Sequence, residues 1–208
     1  MSLAVGFLVG AVLGACAVPL VRWLPRGIDE RLEQPRWTRL AGHPATLVVA
    51  GALLGGLIAA GAPSWSALAS GLVLLAVLLP ATAIDVAWRV VPDSLVAFGF
   101  VVGLAVVALD DPALLGGHLL AALLGGTGAT LLGLAARGGF GLGDAKLIAM
   151  LGAVLGAALP LALMVAAVVS GAVALPVLLL RGRGTTVPLV PFLAVGALLA
   201  VVCTELPG

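Results

Sequence analysis

The chain has 208 residues, of which 62% are hydrophobic and only 9% charged, and its mean hydropathy is +1.29. A soluble domain carries roughly 25% charged residues. This chain lacks the polar side chains to coat a water-facing surface, so a soluble globular enzyme is excluded and an all-α, polytopic membrane protein is expected. The formal net charge of +1 identifies no partner; where the charges fall along the chain is more informative.

Crossing the hydrocarbon takes about 17–25 apolar residues. With that length as the ruler, eight spans are expected, at about 2–21, 44–62, 66–84, 94–109, 113–136, 145–159, 161–180 and 187–204. The first lacks a basic segment ahead of its apolar run and is followed by arginines, which predicts a retained first helix rather than a cleaved signal. Gly6, Gly10 and Gly14 fall four apart within it, as do Gly51/Gly55, Gly99/Gly103 and Gly152/Gly156 later. Such spacing predicts close helix packing where lipid supplies no hydrophobic drive. The only sizeable stretch outside the membrane is 22–43, where a short cytoplasmic helix or a solvated loop is expected. The chain thus divides into 1–43, a first helix plus loop, and 44–208, a membrane-embedded core. Turn and charge signals mark the other breaks, among them Asp110-Asp111-Pro112 and Arg181-Gly182-Arg183-Gly184. The join between the sixth and seventh spans is expected at Pro160.

All ten Lys and Arg fall in or flank the connections after spans one, three, five and seven, with Arg137 and Lys146 flanking the turn between five and six, hence on one side if spans alternate. The opposite side carries Asp110, Asp111 and Glu205. Basic residues collect on the cytoplasmic side, which puts both termini on the non-cytoplasmic side. Cys16 and Cys203 lie in apolar runs near the two ends and are expected as small buried hydrophobes. His43 and His118 are isolated, and no cluster has zinc-ligand spacing, so no metal site is expected.

Three acids reach the crowded side. Asp85 directly follows span three, Asp93 follows Pro92 at the start of span four, and Asp144 sits in Gly141-Leu142-Gly143-Asp144-Ala145-Lys146, directly before span six. Ionised groups at such positions are costly unless they work or are paired. Two carboxylates close together share a proton, so one acts as base while the other donates, which is the chemistry of metal-free hydrolysis. Gly138, Gly139, Gly141 and Gly143 would allow positive φ and close approach of a substrate strand. Lys146 either counters charge on the acid pair or marks the membrane boundary. Asp93 is expected to cap its helix, with direct support of catalysis as the alternative. Trp88 and Arg89 are expected as interface anchors. The bland alternative for both Asp85 and Asp144 is helix capping with no chemistry.

The segment Gly141-Leu142-Gly143-Asp144 with Lys146 resembles the GxGD motif of the membrane aspartic proteases, and Ile84-Asp85 followed by Pro92-Asp93 closely resembles the first catalytic block of the type IV prepilin peptidases. The order of the two blocks, their membrane side and the eight-span layout are also similar to that family. The resemblance implies an aspartic endopeptidase of the bacterial inner membrane that cleaves the short basic leader of prepilins or pseudopilins after a glycine at the cytoplasmic face. Catalytic Asp85 and Asp144 would be supported by Asp93, Gly141, Gly143 and Lys146. Partners would be those precursors and membrane lipid, with no nucleic acid. Bifunctional relatives carry two CxxC pairs in a larger cytoplasmic insert and N-methylate the new terminus. This chain has no such cysteines, so no cofactor is expected, S-adenosylmethionine entering only if methylation is retained. Two other readings stay open: a small proton-coupled transporter with the acids as a relay, and a GxGD protease that cuts within substrate membrane helices.

Overall fold

The computed structural model describes residues 3–23, 43–135, 141–181 and 187–204, and among them all regular structure is helical. Eight α-helices follow in order: α1 (Leu3–Trp23), α2 (Pro44–Gly61), α3 (Trp65–Trp88), α4 (Asp93–Asp110), α5 (Leu115–Ala135), α6 (Leu142–Leu155), α7 (Leu159–Arg181) and α8 (Val190–Thr204). Short 3₁₀ turns, Pro112–Leu114 and Gly156–Ala158, lead into α5 and α7. Six stretches are long and apolar enough to cross a membrane, one of them being the 39 residues of Leu142–Leu180. As a single straight helix that stretch would reach nearly 60 Å, twice the hydrocarbon thickness. It breaks instead at Gly156, whose φ of +53° is open to glycine at little cost. The Gly156 Cα faces the His118 ring, and the His118 Nδ1 lies 3.0 Å from the Ala153 carbonyl oxygen. His118 therefore fixes this turn.

The break at Gly156 corrects the expectation of a join at Pro160, which instead lies in the first turn of α7. Proline is tolerated there because its missing N–H would have had no helical partner. His43 is also structural: its Nδ1 accepts from the Ala45 N–H at 3.3 Å and caps α2. The last helix begins at Val190 rather than 187 and is shorter than a full span.

Helices α1 and α2 lie backbone to backbone. A Cβ on Gly6, Gly10 or Gly14 would collide with the backbone of Gly55, Gly51 or Leu47 respectively, so the four-residue glycine spacing serves packing within the chain. At the centre is α6, with Leu147, Met150, Leu151 and Ala153 fully buried. It packs against α4 and α5, while α3 contacts α1, α2, α4 and α8. Large apolar side chains on the outer faces, such as Leu57, Leu131 and Leu179, remain exposed, as befits a surface that meets lipid. Cys16 and Cys203 are exposed too, against the expectation of burial. An apolar side chain needs no protein cover when its solvent is hydrocarbon. Residues 24–42, where a short cytoplasmic helix or a solvated loop is expected, and the glycines Gly138 and Gly139 lie outside the described residues.

Candidate active site

Helix α3 does not stop at the hydropathic limit near residue 84. It runs on to Trp88, so Asp85 lies inside its last turns and is only 6% exposed. The stop is supplied by Arg89, in the left-handed region at φ 57°, ψ 37°, whose N–H bonds the Asp85 carbonyl at 2.9 Å. Downstream, Pro92 disfavours helix at Val91. Arg89 is the one non-glycine residue with positive φ among the described residues. Backbone conformations that cost about 1–2 kcal/mol tend to persist where a site requires them.

The Asp85 carboxylate docks on the start of α8, its Oδ2 accepting from the Val190 N–H at 3.1 Å. The first amides of a helix lack intrahelical partners and favour negative charge. The positive charge of Arg89 and the Leu189 backbone also favour the ionised carboxylate. Asp85 therefore has the hydrogen bonding a buried acid needs, drawn from an element far away in sequence.

Asp144 is the third residue of α6, not a residue ahead of it. Its Oδ2 accepts from the Gly141 N–H at 3.4 Å, and the Asp144 N–H bonds back to the Gly141 carbonyl at 3.1 Å. Gly141 is the N-cap in ordinary extended geometry, φ −80° and ψ 146°. Positive φ, expected at Gly141 and Gly143, occurs at neither. Gly143 is required for close approach instead: a Cβ there would lie 3.2 Å from Val91 Cβ. The absent side chain lets the first turn of α6 settle against the segment between α3 and α4, which carries Asp144 to the Asp85 side.

The two carboxylates line one cavity of about 600 Å³, together with Arg89, Val91, Asp93, Gly143, Lys146 and Leu189. They are close enough to interact electrostatically. Asp93 and Lys146 stand at its rim, where Lys146 Nζ donates to both Asp93 oxygens at 2.8 and 2.9 Å. This corrects the expected capping role of Asp93: Pro92 occupies the N-cap of α4, and the carboxylate turns outward to the lysine. Lys146 pairs with Asp93 and not with either of the two inner acids. With side chains 54% and 71% exposed, the pair contributes under about 1 kcal/mol, but it ties the start of α4 to the start of α6.

Sequence reasoning took Arg89 as an interface anchor, without its charge beside Asp85, and missed the α8 amides. The link of Arg89 to Asp85 had a local signal, since the two lie four residues apart at the end of one helix. The docking of Val190 had no local signal, because it joins positions 105 apart. A buried acid and a half-buried one lining the same cavity, with electropositive groups beside the first, form an arrangement able to hold and activate a water molecule. Among the described residues no group of three His, Cys, Asp or Glu converges as a metal ion would need.

The profile of the type IV leader peptidase family matches residues 72–175. This is half of the chain; it begins in α3, ends in α7 and contains Asp85, Asp93 and the whole Gly141–Lys146 segment. No curated protein and no solved structure gives a significant match. The apolar helices and the matched segment together identify a multi-pass membrane protease, and the chain belongs to the type IV leader peptidase family.

Proposed function

We propose that the chain removes the leader of type IV pilin-like precursors, cutting after a glycine, with Asp85 and Asp144 as the water-activating pair. The observation that carries this reading is the shared cavity: two acids from distant parts of the chain line it, and both fall within the family match. In the proposed reaction the ionised carboxylate takes a proton from water as the oxygen attacks the scissile carbonyl carbon. The protonated partner gives its proton to the carbonyl oxygen. Collapse of the tetrahedral intermediate breaks the C–N bond: the departing amine takes a proton from the first acid, the second acid takes one from a hydroxyl of the intermediate, and the pair returns to its starting protonation state. No covalent enzyme intermediate or cofactor enters.

Three surroundings favour this chemistry. Arg89 offsets negative charge beside Asp85. The Gly141–Gly143 segment presents backbone with little side-chain cover, which suits an extended peptide recognised along its main chain. The three acids lining the cavity, Asp85, Asp93 and Asp144, suit a basic leader. The collection of cations on one side of an eight-pass layout supports a cytoplasmic cavity in a bacterial inner membrane. A proton-relay transporter would hold its acids near the bilayer midplane, whereas Asp85 and Asp144 lie at helix ends.

Co-expression with a precursor carrying a basic leader, a glycine and an apolar helix tests the reading. Mass spectrometry of the precursor's N-terminus should show the leader lost after the glycine, and a methyl group on the new terminus would reveal retained methylation. An intact precursor beside folded protease would refute the proposal.

A further inference from the structure

A second and larger cavity, of about 820 Å³, opens on the outer surface between α4 and α5, with α6 at its base. Its floor is small, made by Ala122 and Gly126 of α5 and by Ala145 and Ala149 of α6. Its walls are large and apolar, with Leu123 and Leu131 62% and 66% exposed. The two threonines in its lining, Thr127 and Thr130, spend their hydroxyls on their own helix, donating to the Leu123 carbonyl at 2.6 Å and the Gly126 carbonyl at 2.7 Å. The surface therefore asks no hydrogen bond of an occupant.

We infer that this groove receives the membrane helix of the substrate, the apolar segment that follows the scissile bond. The inference rests on the proteolytic reading above, and three features choose this occupant. The first is continuity. Lys146 lines both the groove and the cavity of Asp85 and Asp144, so a chain leaving the two acids enters the groove directly. The second is girth. The lining runs along α5 from Leu119 to Leu131, about 18 Å at 1.5 Å per residue. A cavity of about 820 Å³ open along that length offers one side to a helix about 10 Å across. The groove thus cups one side of a helix and leaves the other to lipid, and its small-residue floor allows close backbone approach. The third is charge. Among the described residues, the one cation in its lining, Lys146, is held by both oxygens of Asp93, which disfavours an anionic lipid headgroup there.

The test compares two probes with the full-length protein in liposomes. One is a synthetic precursor with basic leader, glycine and a twenty-residue apolar helix; the other is the same peptide cut short a few residues after the glycine. Leu123→Trp and Thr127→Trp fill the groove from exposed positions that tolerate bulk. Each should lower kcat/KM for the helical probe at least tenfold more than for the short one, chiefly through KM. Leu57→Trp, on the exposed face of α2, is the control and should alter neither. In parallel, a photocrosslinking benzoylphenylalanine at 127 should capture the helical probe. Equal effects on both probes, or crosslinks only to lipid or to a second copy of the protein, would overturn the inference while leaving the proteolytic reading intact. Failure of the unaltered protein to cut either probe would overturn both.

Discussion

The α1–α2 pair and the meeting point of α3, α4, α6 and α8 are built from equally apolar helices, yet they are joined in opposite ways. In the first, Gly6, Gly10 and Gly14 face Gly55, Gly51 and Leu47 with no side chain of their own, and backbone lies on backbone from Gly6 to Gly14. In the second, helix ends meet through polar groups: Asp85 on the Val190 amide and Lys146 on Asp93. Lipid offers helices no hydrophobic reason to associate, so each region supplies its own cohesion. The glycine seam leaves no volume for chemistry. The polar junction leaves a cavity, because helix ends carry unpaired amides that hold carboxylates without filling the space between them. Substitutions should therefore separate cleanly: those at the junction cost activity, those in the seam cost stability.

The largest expected effect is at the two acids. Asp85→Asn and Asp144→Asn should each lower precursor cleavage by about a thousandfold or more, the scale of a lost acid or base in a coupled pair. Thermal unfolding in detergent should move little, since the Asn oxygen still accepts from Val190 or Gly141. A wild-type rate in either variant would break the comparison on the junction side. Next is Gly10→Leu in the seam. Forcing the α1 and α2 backbones apart should cost about 3 kcal/mol or more, seen as a lower unfolding midpoint and poor accumulation in membranes, while cleavage per folded molecule holds. Loss of specific activity at unchanged stability would show that the seam shapes the site after all.

Much of this division was legible beforehand. Hydropathy located eight helices, the glycine spacing marked the seam, and Asp85, Asp93 and Asp144 stood out as acids at the ends of apolar runs. Helix ends were less legible, because hydropathy tracks where apolar residues stop and not where the backbone stops. Asp85 and Asp144 were expected just outside their helices and lie inside them, since α3 ends only at the left-handed Arg89 and α6 already begins at Leu142. Pro160 looked like a break but is tolerated in a first turn, while Gly156, one glycine among 29, makes the turn through its contact with His118. The role of α8 was invisible, because only the folded chain brings the Val190 amide to Asp85.

Two smaller effects sharpen the junction side. Gly143→Ala places a methyl group 3.2 Å from Val91 Cβ, so the neighbour must yield by a few tenths of an ångström and Asp144 shifts with α6. About a tenfold loss of kcat is expected, given how steeply rates depend on such positions. A variant as fast as wild type would show that the contact does not set the geometry. Lys146→Met should matter least, lowering stability by under about 1 kcal/mol and cleavage by about threefold, measured by detergent unfolding and initial rates. A loss as large as that of Asp144→Asn would mean that Lys146 acts on the reacting groups directly.

The central claim is that Asp85 and Asp144 face each other across one water-reachable cavity. Its most direct measurement joins them covalently. In a background of Cys16→Ala and Cys203→Ala, the double variant Asp85→Cys, Asp144→Cys is treated in membranes with a short water-soluble bis-thiosulfonate, and the intact mass is read. The account predicts a single reagent molecule bridging both positions, while each single-cysteine variant takes up one reagent alone. Two separately labelled thiols with no bridge would place the carboxylates in different environments, and the paired-acid mechanism would have no structural basis.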